Sequence, residues 1–290
     1  MAVVIRLVVM AALAAAIVSP GPVGPSDQPI ALGPVDQAFQ RLYNFDFTAS
    51  LSILDTAAQA DPQNPLLPSV RAGTYLFMEL DRLKILEARF FMNNSNMVDG
   101  ASRLVPDPVV RTRLFAALAN ARTLAKARLA GSPDDGDALL ALCMSAGVET
   151  DYTALVDRRT WRSIKLAPAA LEPARRLLAR TPPAYDAYLN FGALEYIVGD
   201  LPFFIRWLVH YDGIEGNKRR GIEELKLAAR HGRYYGPFAR VLLVVVSLRE
   251  KKIADAEQLL TGLVQEFPEN PLFRKELTIV TERLRRTASR

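Results

Sequence analysis

From Val35 onward, apolar and alanine positions recur at intervals of three and four, and Pro, Gly, Asn or Asp interrupts them about every 10 to 20 residues. The clearest stripe is Leu114, Ala117, Leu118, Ala121, Leu124 and Ala125, with Arg113, Arg122 and Lys126 lying off it. A stripe of that width is what an amphipathic helix buries. Alternating strands with hairpin turns are absent. The β-branched run Val241 to Val246 continues a helical pattern that begins at Tyr235. The pattern predicts about a dozen helices and an all-α fold.

Two segments share a longer spacing. Ala38, Phe47, Leu54, Ala57 and Pro62 fall at positions 8, 17, 24, 27 and 32 of a 34-residue helix-turn-helix unit, and Ile253, Ala256, Leu260 and Pro268 fall at 17, 20, 24 and 32. Both close on the frame P-x-N-P-L, as Pro62-Gln63-Asn64-Pro65-Leu66 and Pro268-Glu269-Asn270-Pro271-Leu272. The first proline stops one helix and the second opens the next. Between them, Tyr188, Phe191, Gly192 and Gly199 match positions 4, 7, 8 and 15. Gly221, Leu225 and Ala228 match 20, 24 and 27 after an inserted apolar stretch, Leu201 to Asp212. One unit earlier a parallel insertion, Asp151-Tyr152-Thr153-Ala154-Leu155, separates a helix from Asp137 to Gly147 and one from Ser163 to Arg180. Small residues at 8, 20 and 27 let paired helices approach closely.

On these residues the chain resembles the tetratricopeptide repeat superfamily, over about residues 35 to 285. Over about 135 to 275 it is similar to the tetratricopeptide repeat protein 39 family and to related exported bacterial repeat proteins. Its units are degenerate: position 20 is Ser50 in the first, position 27 is Leu263 in the last, and the aromatic of position 11 is displaced to Tyr43 or replaced by Ser247. The resemblance implies a right-handed α-α superhelix, a solenoid used for binding, with no catalytic residues to carry over. Residues 35–290 then hold roughly six units of about 34 to 45 residues. The Pro and Gly of Met97 to Pro108 read as a loop between units.

The amino end follows a different pattern. Residues 1 to 18 carry one charge, Arg6, followed by the apolar run Leu7 to Val18 and the helix-breaking Ser19-Pro20-Gly21-Pro22. That run is shorter than the roughly 20 residues needed to span a bilayer, and its shape is that of an export signal. The expected organisation is a signal peptide or N-terminal anchor at 1–20, a Pro/Gly-rich linker at 21–34 and a repeat domain at 35–290. The expected location is exported and periplasmic, with membrane anchoring by an uncleaved segment as the alternative.

Composition and charge remove chemistry. One cysteine, Cys143, excludes an internal disulfide and a multi-cysteine metal site, and two histidines, His210 and His231, leave little for a histidine centre. No cofactor and no metal are expected. Against 31 acidic residues stand 36 basic ones, a net +5. The nearest things to basic clusters are Lys218-Arg219-Arg220 and the tail of Arg283, Arg285, Arg286 and Arg290. That modest excess, with export, disfavours nucleic acid. Glu195 with Asp200, and Glu149 with Asp151, are the candidate carboxylate pairs for hydrolysis, and both read first as acids at helix ends. Cys143 sits in an apolar helix, and Gly213 to Gly216 lacks the strand and Lys-Ser/Thr of a phosphate loop.

The most informative stretch is Leu201 to Tyr211, aromatic nearly all round: either neighbouring helices cover both faces, or it is an exposed lip. Phe203, Phe204, Arg206, Trp207 and Tyr211, joined by Tyr152 and Trp161 of the matching insertion, are the candidate partner-binding residues. Phe90, Phe91 and Met92 are a lesser candidate. The expected function is a non-enzymatic protein-protein interaction scaffold of the cell envelope that binds a protein or peptide partner. The alternative is a lipid or membrane-surface binder using residues 201–212 with Lys218, Arg219 and Arg220. An α-helical hydrolase ranks third.

Overall fold

The computed structural model describes residues 32–86, 105–201 and 213–288, and within them the fold is all-α. The α-helices are α1 (Pro34–Tyr43), α2 (Phe47–Ala60), α3 (Leu66–Arg82), α4 (Pro108–Gly131), α5 (Gly136–Asp151), α6 (Thr160–Leu166), α7 (Leu171–Leu178), α8 (Tyr188–Asp200), α9 (Lys218–His231), α10 (Gly236–Arg249), α11 (Ile253–Glu266) and α12 (Pro271–Ala288). A π-helical turn (Tyr152–Val156) prolongs α5, and 3-10 turns (Ala167–Ala170, Tyr185–Ala187) lead into α7 and α8. Val241 to Val246 is helical, as the pattern required. Short polar side chains start several helices. Asp46 accepts from the Ala49 N–H, Asp107 from Val109 and Val110, Asp135 from Ala138, and Asn217 from Arg220.

Burial alternates along the chain. Helices α3, α5, α8 and α10 are buried around most of their circumference, whereas α2, α9 and α11 each bury a narrow stripe: Ser50, Leu54 and Ala57; Gly221, Leu225 and Ala228; Ala256, Leu260 and Leu263. A helix that is apolar all round belongs in a core, and one with a single apolar stripe covers it. The result is an inner set of helices sheathed by an outer set. Gly136–Val156 is apolar and long enough to pass for a membrane span, yet 83% of it is buried inside the protein.

The repeat-signature residues take up this architecture. Ala38, Leu54, Ala57, Gly192, Gly221, Ala228, Ala256 and Leu260 are buried, Phe47 is half-buried, and Pro62 and Pro268 stand exposed in connections. In both P-x-N-P-L frames the asparagine is a cap: Asn64 Oδ1 accepts from the Leu66 N–H at 3.0 Å, and Asn270 Oδ1 from Leu272 and Phe273 at 2.9 and 3.2 Å. Three helices, α1, α3 and α10, also end alike. Phe45, Lys84 and Lys251 have φ of 63°, 56° and 60°, and the next residue's N–H returns to the carbonyl five positions back, as Asp46 to Arg41, Ile85 to Leu80 and Lys252 to Ser247. This is a Schellman ending built on residues other than glycine.

One expectation is corrected, and the structure adds contacts that the repeat spacing does not predict. The stretch after Asp151 is no interruption, because the chain continues helically as a π turn. The units also do more than touch their neighbours. Helix α1 lies on the connections before α10 and α12: Arg233 pairs with Asp36 at 2.9 Å, Phe39 stacks on Tyr234 at 5.5 Å, and the Asn270 amide donates to the Tyr43 carbonyl at 2.7 Å. These contacts bridge about 200 residues of sequence, which a strictly one-dimensional stack does not do.

Candidate functional site

Carboxylates enclosed under the connections set the geometry around every candidate surface. Glu79 of α3 is fully buried, binds the Arg82 guanidinium through both oxygens at 2.8 Å, and accepts from the Asp107 N–H at 2.8 Å where α4 begins. Glu195 of α8 accepts from the Glu215 and Asn217 N–H groups at 3.1 and 2.7 Å where α9 begins. Asp186 receives Arg233, Tyr234 and Tyr235. Burial pushes its carboxyl up to about 6, against the opposing pull of those backbone donors. Each inner acid fixes backbone 20 to 49 residues away, so it anchors a connection.

The candidate carboxylate pairs are therefore committed to structure. Both oxygens of Glu195 are used, Asp200 meets Lys218 at 2.9 Å and Arg249 at 3.9 Å, Glu149 meets Arg122 at 2.6 Å, and Asp151 is buried. Cys143 is fully buried, and burial pushes its thiol well above the usual range. His231 stacks on Tyr185 at the end of α9, 4.9 Å between centroids. No group of three or more His, Cys, Asp or Glu among the described residues could hold a metal ion.

Beside a small apolar recess of about 60 Å³ lined by Tyr43, Phe77, Phe238 and Phe273, two larger open features are found among the described residues. The first is a groove of about 480 Å³ whose floor is α10 (Arg240, Leu243, Val246, Ser247), with walls from α9 (Ile222, Lys226, Ala229, Arg230) and α11 (Asp255, Gln258, Leu259, Gly262). Its floor residues Leu243, Val246 and Ser247 are each less than a tenth exposed. Arg240 is held by Glu266 of α11 at 2.5 Å. The Cβ position of Gly262 meets only the Arg240 Nη1, at 4.0 Å, so a side chain there would enter open space.

The second is a polar cleft of about 430 Å³ between the start of α4 and the turn into α6, lined by Arg111, Thr112, Phe115, Thr153, Asp157 and Arg162. Arg111 pairs with Asp157 and lies 5.0 Å from the Phe115 ring and 5.2 Å from the Tyr152 ring. The π turn delivers this geometry, and π turns inside helices are frequent at functional sites. Arg158, with φ of 57°, turns the chain outward.

The sequence candidates separate accordingly. Tyr152 is fully buried against Phe115, 5.4 Å between centroids, behind the residues that line the cleft. Trp161 is 55% exposed. The two therefore do not line one wall. Phe203, Phe204, Arg206, Trp207 and Tyr211, as well as Phe90, Phe91, Met92 and His210, lie outside the described residues. In the 218–220 basic cluster, Lys218 binds Asp200 and Glu250 at 2.9 and 2.7 Å over the Tyr196 ring, and Arg220 binds Glu224 at 3.0 Å. Their charge is used internally. Sequence reasoning missed the α10 groove, whose only trace was Gly262 in an otherwise ordinary helix.

No known family model, curated protein or solved structure matches this chain.

Proposed function

We propose that the chain is a non-catalytic binding protein of the tetratricopeptide type, exported by way of residues 1–20, that seats an amphipathic segment of a protein partner in the groove over α10. The groove carries this reading. It combines apolar floor residues, Leu243 and Val246, with charges of both signs at the rim, Arg230, Lys252 and Asp255, the composition expected of a helix-in-groove or extended-peptide site. Paired helices with small residues at the close contacts support the repeat assignment. The commitment of Glu195, Glu149 and Asp200 to internal partners supports a role without catalysis.

The test fills the groove. Gly262→Trp places an indole where the existing glycine leaves open space, with the backbone helical and nothing displaced nearer than 4.0 Å. Capture of the native partner from a crosslinked envelope fraction is expected to be lost while the circular dichroism spectrum is retained. Undiminished capture by the folded variant would contradict the assignment.

A further inference from the structure

The outward face of α6 is a second, independent surface. Residues 158–165 read Arg-Arg-Thr-Trp-Arg-Ser-Ile-Lys, four cations and no acid. Ser163 and Ile164 of this short helix, and Ala167 just after it, turn into the core, so Trp161, Arg162 and Lys165 turn out, joined by exposed Arg159. The neighbouring acid, Asp157, is taken by Arg111. Arg159, Arg162 and Lys165 have no acidic partner among the described residues. The indole thus stands in water beside three cations that pair with no acid among the described residues. Beside it opens the cleft that Arg162 lines together with Arg111, Thr112 and Thr153.

We infer that this face docks on an anionic phospholipid surface, with Trp161 entering the headgroup boundary, Arg159 and Lys165 contacting lipid phosphates, and Arg162 holding one phosphate at the mouth of the cleft. Indole rings settle at that boundary, and clustered cations next to one are attracted by anionic leaflets within a Debye length. A purely acidic protein segment would use the cations and leave the indole in water; a bilayer accounts for both. The apolar run Leu7 to Val18, where it is kept as an anchor, holds the chain at a membrane. The inference does not depend on the α10 groove.

The chain contains two tryptophans, so the full-length Trp207→Phe protein reports on Trp161 alone, and the apolar amino end contributes no signal. Vesicles containing phosphatidylglycerol are expected to shift the Trp161 emission to the blue, and lipids brominated on the acyl chains to quench it. Phosphatidylcholine vesicles should do neither. Arg162→Glu combined with Lys165→Glu should weaken the apparent vesicle affinity at least tenfold at unchanged helicity. If Trp207→Phe lacks the wild-type circular dichroism spectrum, the wild-type chain labelled with 5-fluorotryptophan gives the same readout, its Trp161 resonance identified by Trp161→Phe. An unchanged signal with anionic vesicles, or an equal one with neutral vesicles, overturns the inference. So does an equal response to polyglutamate, which would assign the face to an acidic protein, or to glycerol phosphate, which would assign it to a soluble phosphate.

Discussion

Gly192 of α8 and Gly221 of α9 meet backbone to backbone. A Cβ on Gly221 would lie 2.6 Å from the Gly192 carbonyl oxygen and 2.6 Å from the Tyr196 nitrogen, and one on Gly192 would lie 2.8 Å from the Gly221 carbonyl oxygen. These two residues hold positions 8 and 20 of the repeat frame, separated in sequence by the insertion, and the structure joins them. Glycine in a helix interior costs about 1 kcal/mol relative to alanine. Here the close approach outweighs that cost.

Gly221→Ala is accordingly expected to lower the unfolding free energy by about 2 kcal/mol, because its methyl group meets main chain that cannot step aside. Gly262→Ala, in open space, should raise it by up to about 1 kcal/mol. Urea denaturation of the two variants checks the contrast, and a Gly221→Ala protein as stable as wild type would refute the contact.

Lys251 ends α10 in the left-handed region with φ of 60°. A side chain there costs about 1 kcal/mol, which glycine avoids. Lys251→Gly should therefore be neutral to stabilising, although glycine substitutions on a surface ordinarily destabilise. A loss above about 1 kcal/mol in thermal unfolding would show that Lys251 contributes something besides its backbone.

Asp186 predicts a pH dependence. Its folded pKa, near 6, exceeds the unfolded value of about 3.9, so the native state holds the proton more tightly. The stability this gives is fully present below about pH 4 and is lost as pH rises to about 6. Two units correspond to about 3 kcal/mol. Asp186→Asn removes the titration, so its stability relative to wild type should improve between pH 4 and 7. Parallel stability profiles would contradict the buried, high-pKa carboxyl.

Glu79 and Glu195 anchor connections from below. Replacing either with Ala removes the acceptor of part-buried backbone donors, a loss of about 1 to 2 kcal/mol. The effect should also be local. Hydrogen exchange is expected to accelerate at Asp107 in Glu79→Ala, and at Glu215 and Asn217 in Glu195→Ala, while α12 keeps its protection. Uniform acceleration would mean that the acids stabilise the fold as a whole.

How much of this was legible depends on distance along the chain. The helices, the stripe at Leu114 to Ala125, the paired P-x-N-P-L frames and the small residues Gly192, Gly221 and Ala228 all follow from local spacing, and the sequence carries them openly. Glu79 and Asp186 carry no mark in the sequence, and Glu195 reads there as an acid at a helix end or half of a carboxylate pair, because the partners they anchor are backbone N–H groups that no side-chain pattern marks. The docking of α1 through Asp36 and Tyr43 rests on residues about 200 positions away, and no periodicity encodes that. Tyr152 and Trp161 belonged to one insertion in sequence; the π turn buries the first and the outward face of α6 exposes the second. The cations of 158–165 were in plain view, and only their shared face and the pairing of Asp157 with Arg111 give them meaning.

The central claim is that the groove over α10 receives a protein partner. A photo-crosslinking residue at Gln258, exposed on the groove wall, reports on it directly, with the same residue at Thr56, exposed on α2, as the control. The account predicts a discrete protein adduct from position 258 in the native cell envelope, absent from position 56 and abolished by Gly262→Trp. An adduct that survives Gly262→Trp, or no adduct from position 258, would contradict it.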